Sequence, residues 1–205
     1  MKGSDDMATE ILNDALFYRS YEIIGGEKFM APAANLDHSG IISRLVNVFS
    51  NYFLEHKNGY VFSDDVDVHF SDGSLYKPDL VVVLKSNEKI LAGRKAIYGA
   101  PDMVVEVLSN STRKKDMTIK KDTYEAQGVR EYWIIDPRAK SVSVYLLQDG
   151  KYHLDDEYIL FDEEDIKEVE GLRSKGEEVE IKNEIPVSIA DGLTIPIEFV
   201  FSWGY

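Results

Sequence analysis

A mixed α/β domain, with a central mixed sheet flanked by helices, is the fold class this sequence predicts. Three observations predict it. Leu80–Leu84 (LVVVL) and Met103–Leu108 (MVVEVL) are nearly continuous apolar runs of strand length, the pattern of strands covered on both faces. Residues 37–57 place apolar side chains at helical spacing. A second helical pattern, residues 113–127, joins the second apolar run to a third strand-like segment, Glu131–Asp136 (EYWIID).

Each element follows from local chemistry. Residues 11–30 read as a short helix or an edge strand before Gly25-Gly26. In the first long helix Ile41, Leu45, Val48, Phe49, Tyr52 and Phe53 form one stripe. Asn35 or Asp37 serves as its N-cap, and Asn58-Gly59 stops it. Tyr60–Phe70 alternates apolar and polar residues and reads as a strand, with a turn at Ser71-Asp72-Gly73-Ser74. Residues 86–100 are a polar, basic connection. Gly128 ends the second helix, and Pro137 ends the strand at 131–136. A hairpin around Asp149-Gly150 joins Ser141–Leu147 to Lys151–Leu154. Residues 193–201 (LTIPIEFVF) are a last apolar segment, so a β-rich region is expected at the C-terminal end.

The 205 residues suit a single domain, 1–205, with an acidic elaboration at 155–184. Hydrophobic residues make up 44 %, enough for a sizeable core. The absence of cysteine excludes disulfides, thiolate zinc sites and cysteine nucleophiles. No apolar run approaches the ~20 residues that span a bilayer, so no membrane partner is expected. The polar, acidic start MKGSDDMATE does not read as a signal peptide, and the expected location is the cytoplasm. The net charge of −14 argues against general affinity for nucleic acid, but its distribution is uneven. Residues 155–184 hold thirteen acids and four bases, which leaves only −5 for the rest of the chain, and residues 113–121 (RKKDMTIKK) hold five bases and one acid.

Three residues carry the chemical anomalies. Glu106 interrupts an apolar run, and burying an ionised carboxylate costs several kcal/mol unless it is paired or bound to a metal. Asp79 opens the neighbouring run. Two carboxylates on adjacent strands need a cation between them, and a divalent ion with oxygen ligands supplies one. The alternative is a turn aspartate beside a glutamate paired with Lys or Arg. Lys120 shares a helical stripe with Met117 and Tyr124, where it either snorkels to solvent or reaches the carboxylates. Lys121 is the ordinary surface lysine. Asp102 lies four strand residues before Glu106, roughly 13 Å away, too far to share one metal, so Asp79 is the expected ligand. His38, at the start of the first helix on its apolar side, is either a site residue or a cap. Asp64, Asp65 and Asp67 read as surface. Ser109 and Ser111 show no base partner in the sequence, which argues against serine hydrolase chemistry.

Residues 101–136 resemble the signature of the Uma2 family of restriction-endonuclease-like proteins. The matching features are Pro101-Asp102, Glu106-Val107-Leu108-Ser109, Ser111-Thr112, Asp116, Lys120, Tyr124, Gly128-Val129 and Glu131-Tyr132-Trp133-Ile134-Ile135-Asp136. Upstream, Pro78-Asp79-Leu80-Val81-Val82-Val83 matches the first acidic motif, and the resemblance runs from about His38 to Leu147. It implies a PD-(D/E)XK nuclease fold, a restriction-endonuclease-like core. Leu108 stands where the general nuclease pattern has its lysine, and the family pattern supplies that lysine from the following helix, as Lys120.

The resemblance implies metal-assisted hydrolysis of phosphodiester bonds in nucleic acid, with DNA as the expected substrate. Asp79, Glu106 and the backbone carbonyl of Val107 would hold Mg²⁺ or Mn²⁺. Lys120 would orient the water or stabilise the charge of the transition state, with His38 an additional candidate. The rival reading is a binding or regulatory protein that keeps the nuclease scaffold without useful cleavage. The aromatic end of the chain, and the need to cut two strands, lead to the expectation of a homodimer.

Overall fold

The structure, a computed structural model, describes residues 21–30, 35–63, 66–109 and 112–202. Its strands are β1 (Tyr21–Ile24), β2 (Glu27–Met30), β3 (Gly59–Ser63), β4 (Val68–His69), β5 (Leu75–Tyr76), β6 (Leu80–Leu84), β7 (Ile97–Tyr98), β8 (Met103–Val107), β9 (Glu131–Asp136), β10 (Ser141–Gln148), β11 (Lys151–Ile159), β12 (Glu184–Pro186) and β13 (Thr194–Pro196). The helices are α1 (Leu36–His56), α2 (three contiguous segments, Arg113–Lys115, Asp116–Lys120 and Lys121–Gln127), α3 (Glu163–Ser174) and α4 (Ile197–Phe201). None of the described helices is long and apolar enough to cross a membrane.

The main sheet has the order β11-β10-β9-β8-β6-β3. Among the described residues of this sheet only β8 and β9 pair in parallel, and α2 is the crossover between them. The pleat of these strands sends alternate side chains to two separate cores. Leu80, Val82, Met103, Val105, Trp133 and Ile135 face α1 and the C-terminal segment. Val81, Val83, Val104, Tyr132 and Ile134 face α2 and a second sheet. That second sheet has the order β2-β1-β5-β4-β7. Of the two readings of residues 11–30, helix or edge strand, the described part is strand: 21–30 is a hairpin around Gly25-Gly26 with β2 at the sheet edge and β1 inside it, and residues 11–20 lie outside the described residues.

Local signals set the ends of α1. The Asn35 side chain accepts a hydrogen bond from the His38 backbone N–H at 2.9 Å, which satisfies one orphan donor of the first turn. At the other end Lys57 takes the left-handed conformation, φ 52°. Gly59 is required by close approach. A Cβ there would stand 2.5 Å from the Phe53 ring, against which the chain turns into β3.

Three segments differ from their sequence pattern. The single strand expected over Tyr60–Phe70 is two, β3 and β4, in different sheets. The acidic stretch 155–184 begins inside the main sheet, because residues 155–159 are the end of β11. The C-terminal region is less β-rich than expected, since α3 begins with a capping box formed by Asp162 and Asp165, and the segment 193–201 divides into β13 and α4.

Candidate active site

β6 and β8 pair antiparallel with Leu80 opposite Val105. One further step of this register sets Asp79 opposite Glu106 on the same face of the sheet. The Asp79 Oδ2 atom accepts a 2.6 Å hydrogen bond from the Val107 backbone N–H, which locks the aspartate to the strand that carries Glu106. The His38 Nε2 atom lies 3.2 Å from the same oxygen. His38 thus belongs to the first turn of α1 through its backbone and touches Asp79 through its ring. Asn35, not His38, is the cap, and the His38 ring is left to contact Asp79.

Glu106 is 3 % exposed. Its Oε1 atom accepts from Lys120 Nζ at 3.0 Å and from the Tyr124 hydroxyl at 2.7 Å. Lys120, also 3 % exposed, does not snorkel. Its ammonium meets Glu22 Oε1 at 2.8 Å and Asp116 Oδ1 at 3.2 Å as well. Three carboxylates therefore lie within ion-pair reach of one ammonium, and Asp79 adds a fourth acid to the neighbourhood. Burial pushes the Glu106 carboxyl well up, against the pull of Lys120 and with the repulsion of Asp116, Asp79 and Glu22. Asp116 is raised, first by burial. Burial works to lower the Lys120 pKa, but the attraction of Glu106, Asp116 and Glu22 outweighs it and holds the ammonium charged. Burial also keeps Tyr124 and Tyr132 as phenols. Tyr124 uses its proton on Glu106, and Tyr132 donates to the Asp116 carbonyl at 3.0 Å.

The local path of α2 explains this convergence and corrects the stripe read from the sequence. Asp116–Lys120 is a π-turn. The wider turn, a form often found at functional sites, places Asp116, Lys120 and Tyr124 together on the buried side. Met117, expected on that stripe, is instead 47 % exposed. Lys121 stands over the Tyr145 ring at 4.0 Å, away from the acids.

The other predicted residues fall elsewhere. Asp102 is buried and structural: it accepts from the Leu84 N–H, from Asn87 and from Arg130. Asp67 pairs with Lys77 at 3.0 Å. Asp64, Asp65 and Ser111 lie outside the described residues. Ser109 meets Thr112 at 2.9 Å in the turn that leads into α2.

Two members of the cluster were not singled out as site residues from the sequence. Glu22 arrives from the second sheet and also accepts from the Lys77 N–H at 3.0 Å. Its signal was present in β1, where Glu22 and Ile24 share the buried face of an alternating strand. Asp116 could have been found from its i,i+4 spacing to Lys120.

Among the described residues no three His, Cys, Asp or Glu side chains form a ready metal-ligating group. The donor set nevertheless fits a hard divalent cation. Asp79 and Glu106 offer oxygen ligands, the Val107 carbonyl can add a third, and four clustered carboxylates outnumber the one lysine. Magnesium needs few protein ligands because it keeps several of its waters.

The family model Uma2, described as "Putative restriction endonuclease", matches residues 18–180. A solved structure described as a "putative nuclease belonging to DUF820", from Anabaena variabilis, superposes with a TM-score of 0.66. It shares 22 % sequence identity, and the match covers 91 % of this chain and 92 % of that one. At this identity the likeness establishes the fold. No curated protein matches the chain.

Proposed function

The chain belongs to the Uma2 family, and on that footing we propose that it is a magnesium- or manganese-dependent endonuclease that hydrolyses phosphodiester bonds of DNA. The single observation that carries this reading is the in-register pair Asp79–Glu106 with the Lys120 ammonium on Glu106. Asp79, Glu106 and the Val107 carbonyl would hold the ion. When bound, such an ion polarises the scissile phosphate and makes hydroxide available at neutral pH.

The chain's own residues supply the rest. The Val107 N–H and the His38 ring fix the orientation of Asp79, so its other oxygen can point to a ligand. Lys120 and Tyr124 together hold Oε1 of Glu106, which orients that carboxylate in the same way. Lys120 also places a fixed positive charge beside the reacting phosphate, where charge that develops in the transition state is stabilised without reorganisation. As a finer part of the proposal, the protein works in the cytoplasm as a homodimer, one protomer for each strand of a duplex.

The rival reading, a nuclease scaffold that binds without cutting, is favoured by one observation: Lys120 is already engaged by three acids. A cleavage assay on purified protein decides between them. The expected result is cutting of DNA with Mg²⁺ or Mn²⁺ by the wild type and none by Asp79→Ala. A wild type inactive with both metals on DNA and RNA would leave the binding reading in place. Light scattering at micromolar concentration tests the dimer, and a monomeric mass would reject it.

A further inference from the structure

Beside the candidate active site the structure holds a cavity of about 660 Å³ between the edge strand β3 and the segment that follows β6. Tyr60, Phe62, Val66 and Leu91 supply its apolar walls, and Arg94 and Lys95 stand at its border. Residues 85–95 hold four bases (Lys85, Lys89, Arg94, Lys95) and one acid, Glu88, in a chain of net charge −14. The one acid is already satisfied: Glu88 Oε2 pairs with Lys85 and accepts from the Tyr60 hydroxyl at 2.9 Å. Arg94 and Lys95 are exposed and have no acidic partner among the described residues. Aromatic and aliphatic side chains therefore line the cavity together with two exposed cations.

The sheet register relates this cavity to the acidic pair. Phe62 lies opposite Val81, and Val81 lies opposite Val104. Phe62 thus shares the face of Glu106 and sits one strand across and two residues along from Asp79. At ~4.8 Å between strands and ~3.3 Å per residue, the separation is roughly 8 Å, about two base steps of DNA at ~3.4 Å each.

We infer that this cavity receives an unpaired nucleobase of the strand whose phosphate lies at the Asp79–Glu106 pair. The inference rests on the nuclease reading for the position of that phosphate. Phe62 and Tyr60 stack on the base, and Arg94 and Lys95 contact the phosphates that flank it. Stacking on aromatic rings with cations along the backbone is how single strands are held without sequence preference. The Tyr60 hydroxyl, tied to Glu88 and to Lys85 at 2.7 Å, keeps the ring in place before the strand arrives. A base paired in an intact duplex cannot enter, so each protomer of the proposed dimer takes a strand that is single or has been opened locally around the cut.

Fluorescence anisotropy tests this on the full chain in EDTA, where no cutting can occur. The probes are a fluorescein-labelled oligothymidylate and the same strand in a duplex with oligodeoxyadenylate. The single strand is expected to bind at least ~10-fold more tightly. Arg94→Glu/Lys95→Glu should weaken that binding ~10-fold or more and flatten the salt dependence by about 1.4, at ~0.7 per phosphate contact on single strands. Tyr60→Ala should weaken it ~10-fold, and Tyr60→Phe, which keeps the ring, much less. The remote reversal Lys140→Glu/Lys167→Glu serves as the charge control.

Equal or tighter binding of the duplex would overturn the inference. So would a double reversal at Arg94 and Lys95 no more harmful than the one at Lys140 and Lys167. The surface reversal decides the matter even if Tyr60→Ala fails to fold. Cleavage with metal is scored separately. Cutting by a wild type whose binding ignores Arg94 and Lys95 rejects the pocket and keeps the nuclease. Binding that depends on Arg94 and Lys95 without any cutting does the reverse.

Discussion

At the scale of residues, Lys120 is where the sequence pattern and the geometry part company. On pattern alone, replacing Lys120 with alanine removes one catalytic group and leaves the fold nearly intact. The structure places its ammonium among Glu22, Glu106 and Asp116, all of them buried. Removing one partner of a buried ion cluster leaves uncompensated charge, which typically costs about 3–5 kcal/mol. Lys120→Ala is thus expected to abolish cleavage and also to lower the unfolding free energy by that order. Lys121→Ala, whose ammonium lies over the Tyr145 ring, should change each by little. Urea titration beside a cleavage assay reads both quantities, and equal stability of the two variants would contradict the buried cluster. Glu22 gives a milder test. Glu22→Ala strips one acceptor from Lys120 and one from the Lys77 N–H. An expected loss of about 1–3 kcal/mol would appear as a lower urea midpoint.

At the scale of elements, legibility followed periodicity and length. The five-residue strands β6 and β8 are covered on both faces and were plain in the sequence as apolar runs. Helix α1 was equally plain, because Ile41, Leu45, Phe49 and Phe53 are all buried as their spacing implies. The inward stripe of α2 differs from its sequence pattern by one residue at its start. A 3.6-residue period cannot register a π-turn, so Met117 was placed where Asp116 belongs. Of the second sheet the sequence shows the turn at 71–74 that joins β4 to β5, and neither the hairpin β1–β2 nor the pairing of the other strands. Strands β4, β5 and β7 are two residues long, too short for any periodicity, and the pairings β1–β5 and β4–β7 join distant parts of the chain. The α1–β3 joint is a further element-level prediction. Gly59→Ala would press a methyl group to within 2.5 Å of the Phe53 ring. Overpacking of this kind costs about 1–3 kcal/mol, and a thermal melt should show it as a lower midpoint.

At the scale of the whole molecule, one buried carboxylate fastens the C-terminal segment to the main sheet. Glu131, at the start of β9, is fully buried on the α1 side. It accepts from Trp133 Nε1 at 2.7 Å, from the Ser188 hydroxyl at 2.6 Å and from the Ile189 N–H at 3.2 Å. The turn at 187–190, between β12 and β13, is therefore held by an acid that the sequence pattern does not flag, because there Glu131 is only the first letter of an apolar segment. Burial raises its pKa above 4.5, and the donated hydrogen bonds pull the other way without cancelling the effect. The sign of the consequence follows from proton counting. A raised folded pKa means that the native state keeps its proton to higher pH than the unfolded chain does. This stabilising contribution is complete below the unfolded value of about 4.5 and is lost as pH rises through the folded value. Glu131→Gln keeps the shape and removes the titration. Melting temperatures followed upward from about pH 4.5 should therefore fall less steeply for Glu131→Gln than for the wild type. Parallel curves for the two proteins would show that Glu131 titrates alike in the folded and unfolded chains, and its burial would then need another explanation.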